Sequence, residues 1–162
     1  MSFLASKFSL EYPVYKQAIY LTICVFLGLF ISPPVLAVNT LIDNGNGSVT
    51  DIATGLLWQK QDDDISREHA DASAYCAELT LANESDWRLP NVKELPTIVD
   101  YRLMRPAIDD AKFPNTDLRQ YWTATSAVGD LRSAWVVSFS SGAIGNLLIN
   151  NRFLVRCVRD AS

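Results

Sequence analysis

An α+β fold, two helices flanking a twisted antiparallel sheet, is the class the sequence predicts, and three patterns predict it. Ile65, His69, Ala72, Cys76 and Leu79 recur at steps of four and three, the spacing of one helix face. Asn91-Val92-Lys93-Glu94 places an N-cap residue three positions before an acidic partner, the opening of a second helix. Segments 121–126, 133–140, 143–149 and 153–159 are apolar, strand-length and separated by turn signals such as Ser141-Gly142 and Asn150-Asn151.

Composition sets the outer bounds. The 162 residues are 49% hydrophobic and 20% charged, which is enough apolar surface for one folded domain and too much for a disordered chain. A net charge of −4 lacks the basic face that displaces counterions from phosphates, so no nucleic-acid partner is expected.

The N-terminus reads as an export signal. Lys7 and Lys16 precede an uncharged run, Ala18 to Ile31, then Ser32-Pro33-Pro34 and the small-residue pattern Val35-Leu36-Ala37. Residues 1–37 are therefore expected to be a signal peptide and residues 38–162 the domain. An uncleaved anchor is the alternative, but the run is shorter than the roughly 18 to 20 residues needed to cross the hydrocarbon core. No membrane span is expected after removal, and the location is periplasmic or extracellular. Without Lys7, Lys16 and Glu11 the remainder carries 12 basic and 17 acidic side chains, a net charge of −5. It keeps two cysteines, Cys76 and Cys157, in an oxidising compartment, so one disulfide is expected, with two buried thiols the alternative.

Along the domain, Asn44-Gly45, Asn46-Gly47 and Thr54-Gly55 supply turns between two or three short strands that end at Trp58. Asp43, Asn46 and Asp51 could also be read as calcium ligands, but they lack the spacing and terminal bidentate Glu of an EF-hand, so hairpin turns are the better reading. The first helix covers 65–81, with Cys76 and the only histidine, His69, on its inner stripe. The second runs from Asn91 to about Tyr101 and should bury Val92, Leu95, Ile98 and Val99. Pro96 falls inside it, so its first turn is 3₁₀ or the helix starts late. Residues 102–120 form a polar loop. In the late strands Trp135, Val137 and Phe139 share one face, as do Phe153, Val155 and Cys157.

The blocks DNGNGSVTDIATGLLWQK, AYCAELTLANESDWRLPNVKEL, FPNT, YWTATS, AWVVSFSSG and VRCVR, in that order, resemble the C-terminal domain of the Legionella collagen-like adhesin, a domain of unknown function. The resemblance runs from about Asp43 to Arg159. It implies a C-type-lectin-like fold, related to formylglycine-generating and phage receptor-binding domains. Trp87-Arg88-Leu89-Pro90 matches a block in which the Trp is core and the Arg a buried structural pair, so Trp58, Trp87 and Arg88 are assigned structural roles. Pro96 departs from the family pattern.

Little in the chain points to catalysis. Nucleophilic chemistry needs a Ser or Cys beside a base, and one His with two cysteines expected to be bonded together does not supply that set. The formylglycine-generating relatives hold copper with a cysteine pair, and none is to spare here. Asp62 to Asp64 and Asp109-Asp110 read as solvated charge rather than an acid/base pair. No enzyme, cofactor or metal is expected.

Binding fits better. The Glu-Pro-Asn, Gln-Pro-Asp and Trp-Asn-Asp motifs of calcium-dependent lectins are absent, with Phe113-Pro114-Asn115 only a partial echo, so recognition would be calcium-independent. Trp122 and Trp135 offer flat apolar faces for a sugar ring, and Arg132, Asn146, Asn150, Asn151 and Arg152 offer hydrogen bonds to hydroxyls or sulfates; the alternative is that both tryptophans are core. The adhesin's link to sulfated polysaccharides would require Arg132, Arg152, Arg156 and Arg159 to gather into a basic patch. The expected partner is a glycan or a cell-surface protein, and the alternative role is a periplasmic structural or assembly domain without a small ligand.

Overall fold

The computed structural model describes residues 40–161, and the expected signal segment 1–37, with its cut after Ala37, lies outside them. In chain order the elements are β1 (Leu41–Asp43), β2 (Ser48–Asp51), β3 (Leu56–Gln59), α1 (His69–Glu78), a 3₁₀ turn (Leu95–Ile98), β4 (Gln120–Ala127), β5 (Asp130–Ser138), β6 (Ile144–Leu148) and β7 (Val158–Asp160). The strands form two antiparallel sheets, β1-β2-β3-β7 and β4-β5-β6. This corrects the expected C-type-lectin-like arrangement of two helices flanking one sheet. The described architecture is mostly β, with a single α-helix.

The second helix fails for the reason its sequence carries. Asn91 does cap as expected, its Oδ1 accepting from the backbone N–H groups of Lys93 and Glu94, while Glu94 Oε2 accepts from Asn91 N–H at 2.8 Å. Pro96 then sits in the first turn of a four-residue 3₁₀ segment that stops at an extended Val99. A proline ring clashes with the preceding turn and removes one donor, so the cap starts a helix that cannot continue. Of the four residues expected to be buried, Leu95 and Ile98 are, whereas Val92 and Val99 are only half-buried.

The last strand is also shorter than read. Backbone pairing between β3 and β7 covers only Val158 to Asp160, although 153–157 stays extended enough for alternation to sort its side chains. Phe153, Val155 and Cys157 enter one core and Leu154 and Val158 the other.

Those two cores organise the domain. The first joins the sheets: Val49, Leu56, Trp58 and Val158 pack with Tyr121, Val137 and Phe139, and with Leu95, Ile98, Ile108 and Phe113 from the loops. The second seats α1 through Ala72 and Cys76 on Leu57, Trp87, Leu89, Trp122, Val136 and Val155. Turn chemistry holds the strands in register. Asp43, Asn46 and Asp51 direct their side-chain oxygens to Gly45 N–H, Ser48 N–H and Ala53 N–H, which is the hairpin role rather than the calcium one. At Gly142 a side chain is barred twice, by φ +76 and by Val99 Cγ1 at 2.6 Å from where a Cβ would stand.

Cys76 and Cys157 are bonded across 81 residues of sequence, tying α1 to the end of the chain. Buried Gln59 braces the junction, its Oε1 accepting from Cys157 N–H at 3.0 Å and its Nε2 donating to Tyr75 Oη at 3.0 Å. Reducing the disulfide, or replacing both cysteines with Ser, is expected to lower stability by about 2–5 kcal/mol. Urea unfolding with and without reductant measures this, and unchanged midpoints would refute it.

Candidate functional site

Strands β5 and β6 carry the one predicted pair that the structure sets side by side in register. Trp135 and Asn146 are directly opposed, so their side chains leave the same face. Trp135 is half-buried, with its carbonyl accepting from the Thr123 hydroxyl at 2.9 Å, and Asn146 is exposed. Flanking Asn146 on that face are Ile144 and Leu148, 44% and 48% exposed. Sequence reading missed these two. An alternating strand announces which residues share a face but not that the strand stands at a sheet edge, half open to solvent.

Arg132 and the Asn150-Asn151-Arg152 turn meet at the far end of the same hairpin, where Ile149 N–H donates to Arg132 O at 2.9 Å. Asn150, Asn151 and Arg152 are exposed. The turn is anchored to the start of α1: His69 N–H donates to Ile149 O, and the Arg152 guanidinium donates to Ser66 O at 2.9 Å.

Trp122 does not join them. It is fully buried, its indole N–H donating to Arg67 O at 2.8 Å and its ring meeting His69 and Phe153 edge-to-face. His69 thus acts as packing, with Nε2 at 2.9 Å from Thr123 O. Trp58 and Trp87 are core too, the second donating to Leu81 O at 3.2 Å. Arg88 makes the expected pair, two bonds to Glu94 at 2.7 and 2.9 Å, but its side chain is 41% exposed rather than buried.

The buried arginine is Arg156 instead. Its guanidinium donates to Gln59 O, Lys60 O, Thr116 Oγ1 and Asp62 Oδ2, and it lies 4.9 Å from the Phe113 ring centroid. Asp62, read as solvated charge, is its buried counter-ion and also accepts from Tyr121 Oη at 2.8 Å. Burial, with the Asp62 carboxylate beside it, holds the Tyr121 hydroxyl firmly protonated. Arg159 is buried against Asp86 at 2.6 Å. The basic patch of Arg132, Arg152, Arg156 and Arg159 is therefore not formed.

Most other arginines are matched locally. Arg102 donates to Asp100, Arg119 contacts Asp64 and Asp117, and Arg132 contacts Asp130. The carboxylates respond. The Arg102 guanidinium, with its own backbone N–H, holds Asp100 at about 2; Arg159 lowers Asp86, and Arg119 lowers Asp117. Asp130 is lowered by the Arg132 backbone N–H and then by the Ser133 hydroxyl. For Glu94, burial pushes upward but is outweighed by Arg88 and the Asn91 N–H. Among the described residues no three His, Cys, Asp or Glu side chains gather as metal ligands, and no helix is long and apolar enough to cross a membrane.

These shifts fix an acid limit. Unfolded carboxylates take up protons near 3.8 to 4.5, and the folded ones resist to lower pH, so the unfolded state binds more protons in that window. The stabilisation is full above about pH 5 and is lost as pH falls through the folded values toward 2. The melting temperature should accordingly be flat from pH 5 to 8 and decline below about pH 4, modestly because these pairs lie at the surface. Replacing Arg156 with Ala leaves Asp62 buried and unpaired and should cost about 3–5 kcal/mol at pH 7. Urea unfolding checks it, and a loss below about 1 kcal/mol would show the pair is not structural.

No curated protein matches the chain. The family model described as the Lcl C-terminal domain matches residues 47–159, most of the chain and all of the elements from β2 to the first residues of β7. The chain belongs to the Lcl C-terminal domain family.

Proposed function

We propose that this is an exported recognition or adhesion module, non-catalytic and calcium-independent, that binds a glycan or a cell-surface protein through the β5–β6 face. The observation that carries this is Trp135 set in register beside exposed Asn146, between Ile144 and Leu148. A tryptophan face stacks on the apolar side of a sugar ring or a partner's side chain, and a neighbouring amide reads hydroxyls or backbone groups. The export pattern of residues 1–37 and the bonded cysteines support a location outside the inner membrane. Because the arginines are largely matched by carboxylates, uncharged sugars suit the face better than sulfated ones.

Binding of the oxidised protein to a glycan array, with and without EDTA and at two salt concentrations, tests this. Binding to a defined glycan class that survives EDTA and changes little with salt is expected, and Trp135→Ala should weaken it about ten-fold or more. A folded protein silent across the array would remove the glycan arm. Binding unaffected by Trp135→Ala would remove this face.

A further inference from the structure

Each of the two sheets has two edges, and three of the four are short or covered. The outer edge of β7 is bonded to Arg88, which exchanges both backbone hydrogen bonds with Val158 at 2.9 Å. The outer edge of β4 is bonded to Leu154, through Trp122 N–H and Gln120 O, and to Pro90, through Ala124 N–H. β1 is three residues long. Among the described residues β6 is the long edge left open.

Its backbone directions follow from the register. Ser138 N–H donates to Ala143 O and Ile149 N–H to Arg132 O, so by alternation Gly145 and Leu147 turn their backbone groups into β5. Ile144, Asn146 and Leu148 turn theirs outward, and among the described residues only Leu148 O of these is engaged, by Asn151 N–H at 2.9 Å. Proteins usually blunt such an edge with a charge, a proline or a bulge. None is present here: 133–151 contains no charged residue and no proline, in a chain that is 20% charged.

We infer that β6 pairs with β6 of a second copy of this chain, antiparallel about a two-fold axis at Asn146. The strand is self-complementary in that register. Asn146 faces its own copy, and Ile144 faces Leu148 in both directions, apolar against apolar. All three positions carry the outward backbone groups, so the pairs that face each other are the ones able to exchange hydrogen bonds, Leu148 O through the lone pair that Asn151 N–H leaves. No charge on either strand opposes the approach. The two three-stranded sheets become one six-stranded sheet with equivalent faces on the same side, which sets two Trp135–Asn146 pairs on one continuous surface. The inference rests on the edge and not on any ligand.

The test is the mass of the oxidised full chain, produced from its own N-terminus, by light scattering and sedimentation from about 1 to 200 µM, the range suited to a small interface. Concentration-dependent dimers are expected. Asn146→Lys and Asn146→Asp each set like charges face to face and should weaken dimerisation about five- to ten-fold at low salt. Position 146 is exposed, so both variants should keep the wild-type circular dichroism and melting temperature. Mixing the two should restore dimers as heterodimers, a rescue that a merely structural defect would not show. A wild-type chain monomeric throughout the range overturns the proposal and leaves the edge to a foreign strand. Oligomers that ignore both substitutions, or variants that do not recover on mixing, overturn it as well.

Discussion

The buried ion pair of Arg156 and Asp62 is the interaction around which the rest of the domain is arranged. A guanidinium with no exposure has lost its hydration, and desolvation of that size is offset only if nearly every donor is satisfied and the charge is matched. Arg156 finds carbonyls at the end of β3, the hydroxyl of Thr116 and the carboxylate of Asp62, with the Phe113 ring against its face. These partners lie 40 to 97 positions away in sequence. The early hairpin, the long loop and the final segment must therefore all be in place at once. Tyr121 then borrows Asp62 as its own acceptor, which locks the start of β4 to the same point.

The disulfide acts beside this pair, one residue along. Arg156 points toward Asp62 while Cys157 points to α1, so a single extended segment delivers the cation to one side and the covalent link to the other. Gln59 shows how closely the two are coupled: its backbone N–H donates to Cys157 O, its side-chain Oε1 accepts from Cys157 N–H, and its carbonyl receives Arg156. The helix is held by this covalent and polar framework as much as by its apolar stripe. That is consistent with a ten-residue helix whose cap residue, Glu68, makes no capping bond.

Local patterns were legible in the sequence and non-local ones were not. The stripe of Ile65, His69, Ala72, Cys76 and Leu79 marked α1, but the helix covers only His69–Glu78 rather than 65–81, and Ile65 lies ahead of it, exposed; turn residues marked the hairpins, because periodicity and positive-φ preference act within a few residues. Asn91 and Glu94 formed the cap that their spacing predicts, yet Pro96, equally visible, outweighed it. Weighing two local signals against each other is harder than detecting either. Arg156 was invisible as a buried ion pair, because nothing near it in sequence marks a partner 94 residues away. Trp122 and Trp135 look alike in their strands. One stacks beneath α1 and the other stands beside an open edge, a difference set by sheet topology alone. Family membership, carried by separated blocks of residues, was readable throughout, whereas the two-sheet architecture was not.

The distribution of charge decides what kind of surface remains. Most arginines in the described residues lie against an aspartate or glutamate, so their fields are cancelled within a few ångströms and little long-range steering is left. The longest uncharged stretch of the folded domain, 133–151, is the one that holds β6 and the part of β5 paired with it. Elsewhere the carboxylates and arginines keep the surface soluble and unattractive to other sheets. Along β6 and its paired part of β5 neither device is used, and any contact made there draws on stacking, apolar packing and backbone hydrogen bonds. Such forces act only at contact distance and depend on shape, so specificity in the proposed recognition would be a property of the strand register: the opposition of Trp135 to Asn146 and the outward turn of Ile144 and Leu148 define both the face and the edge at once.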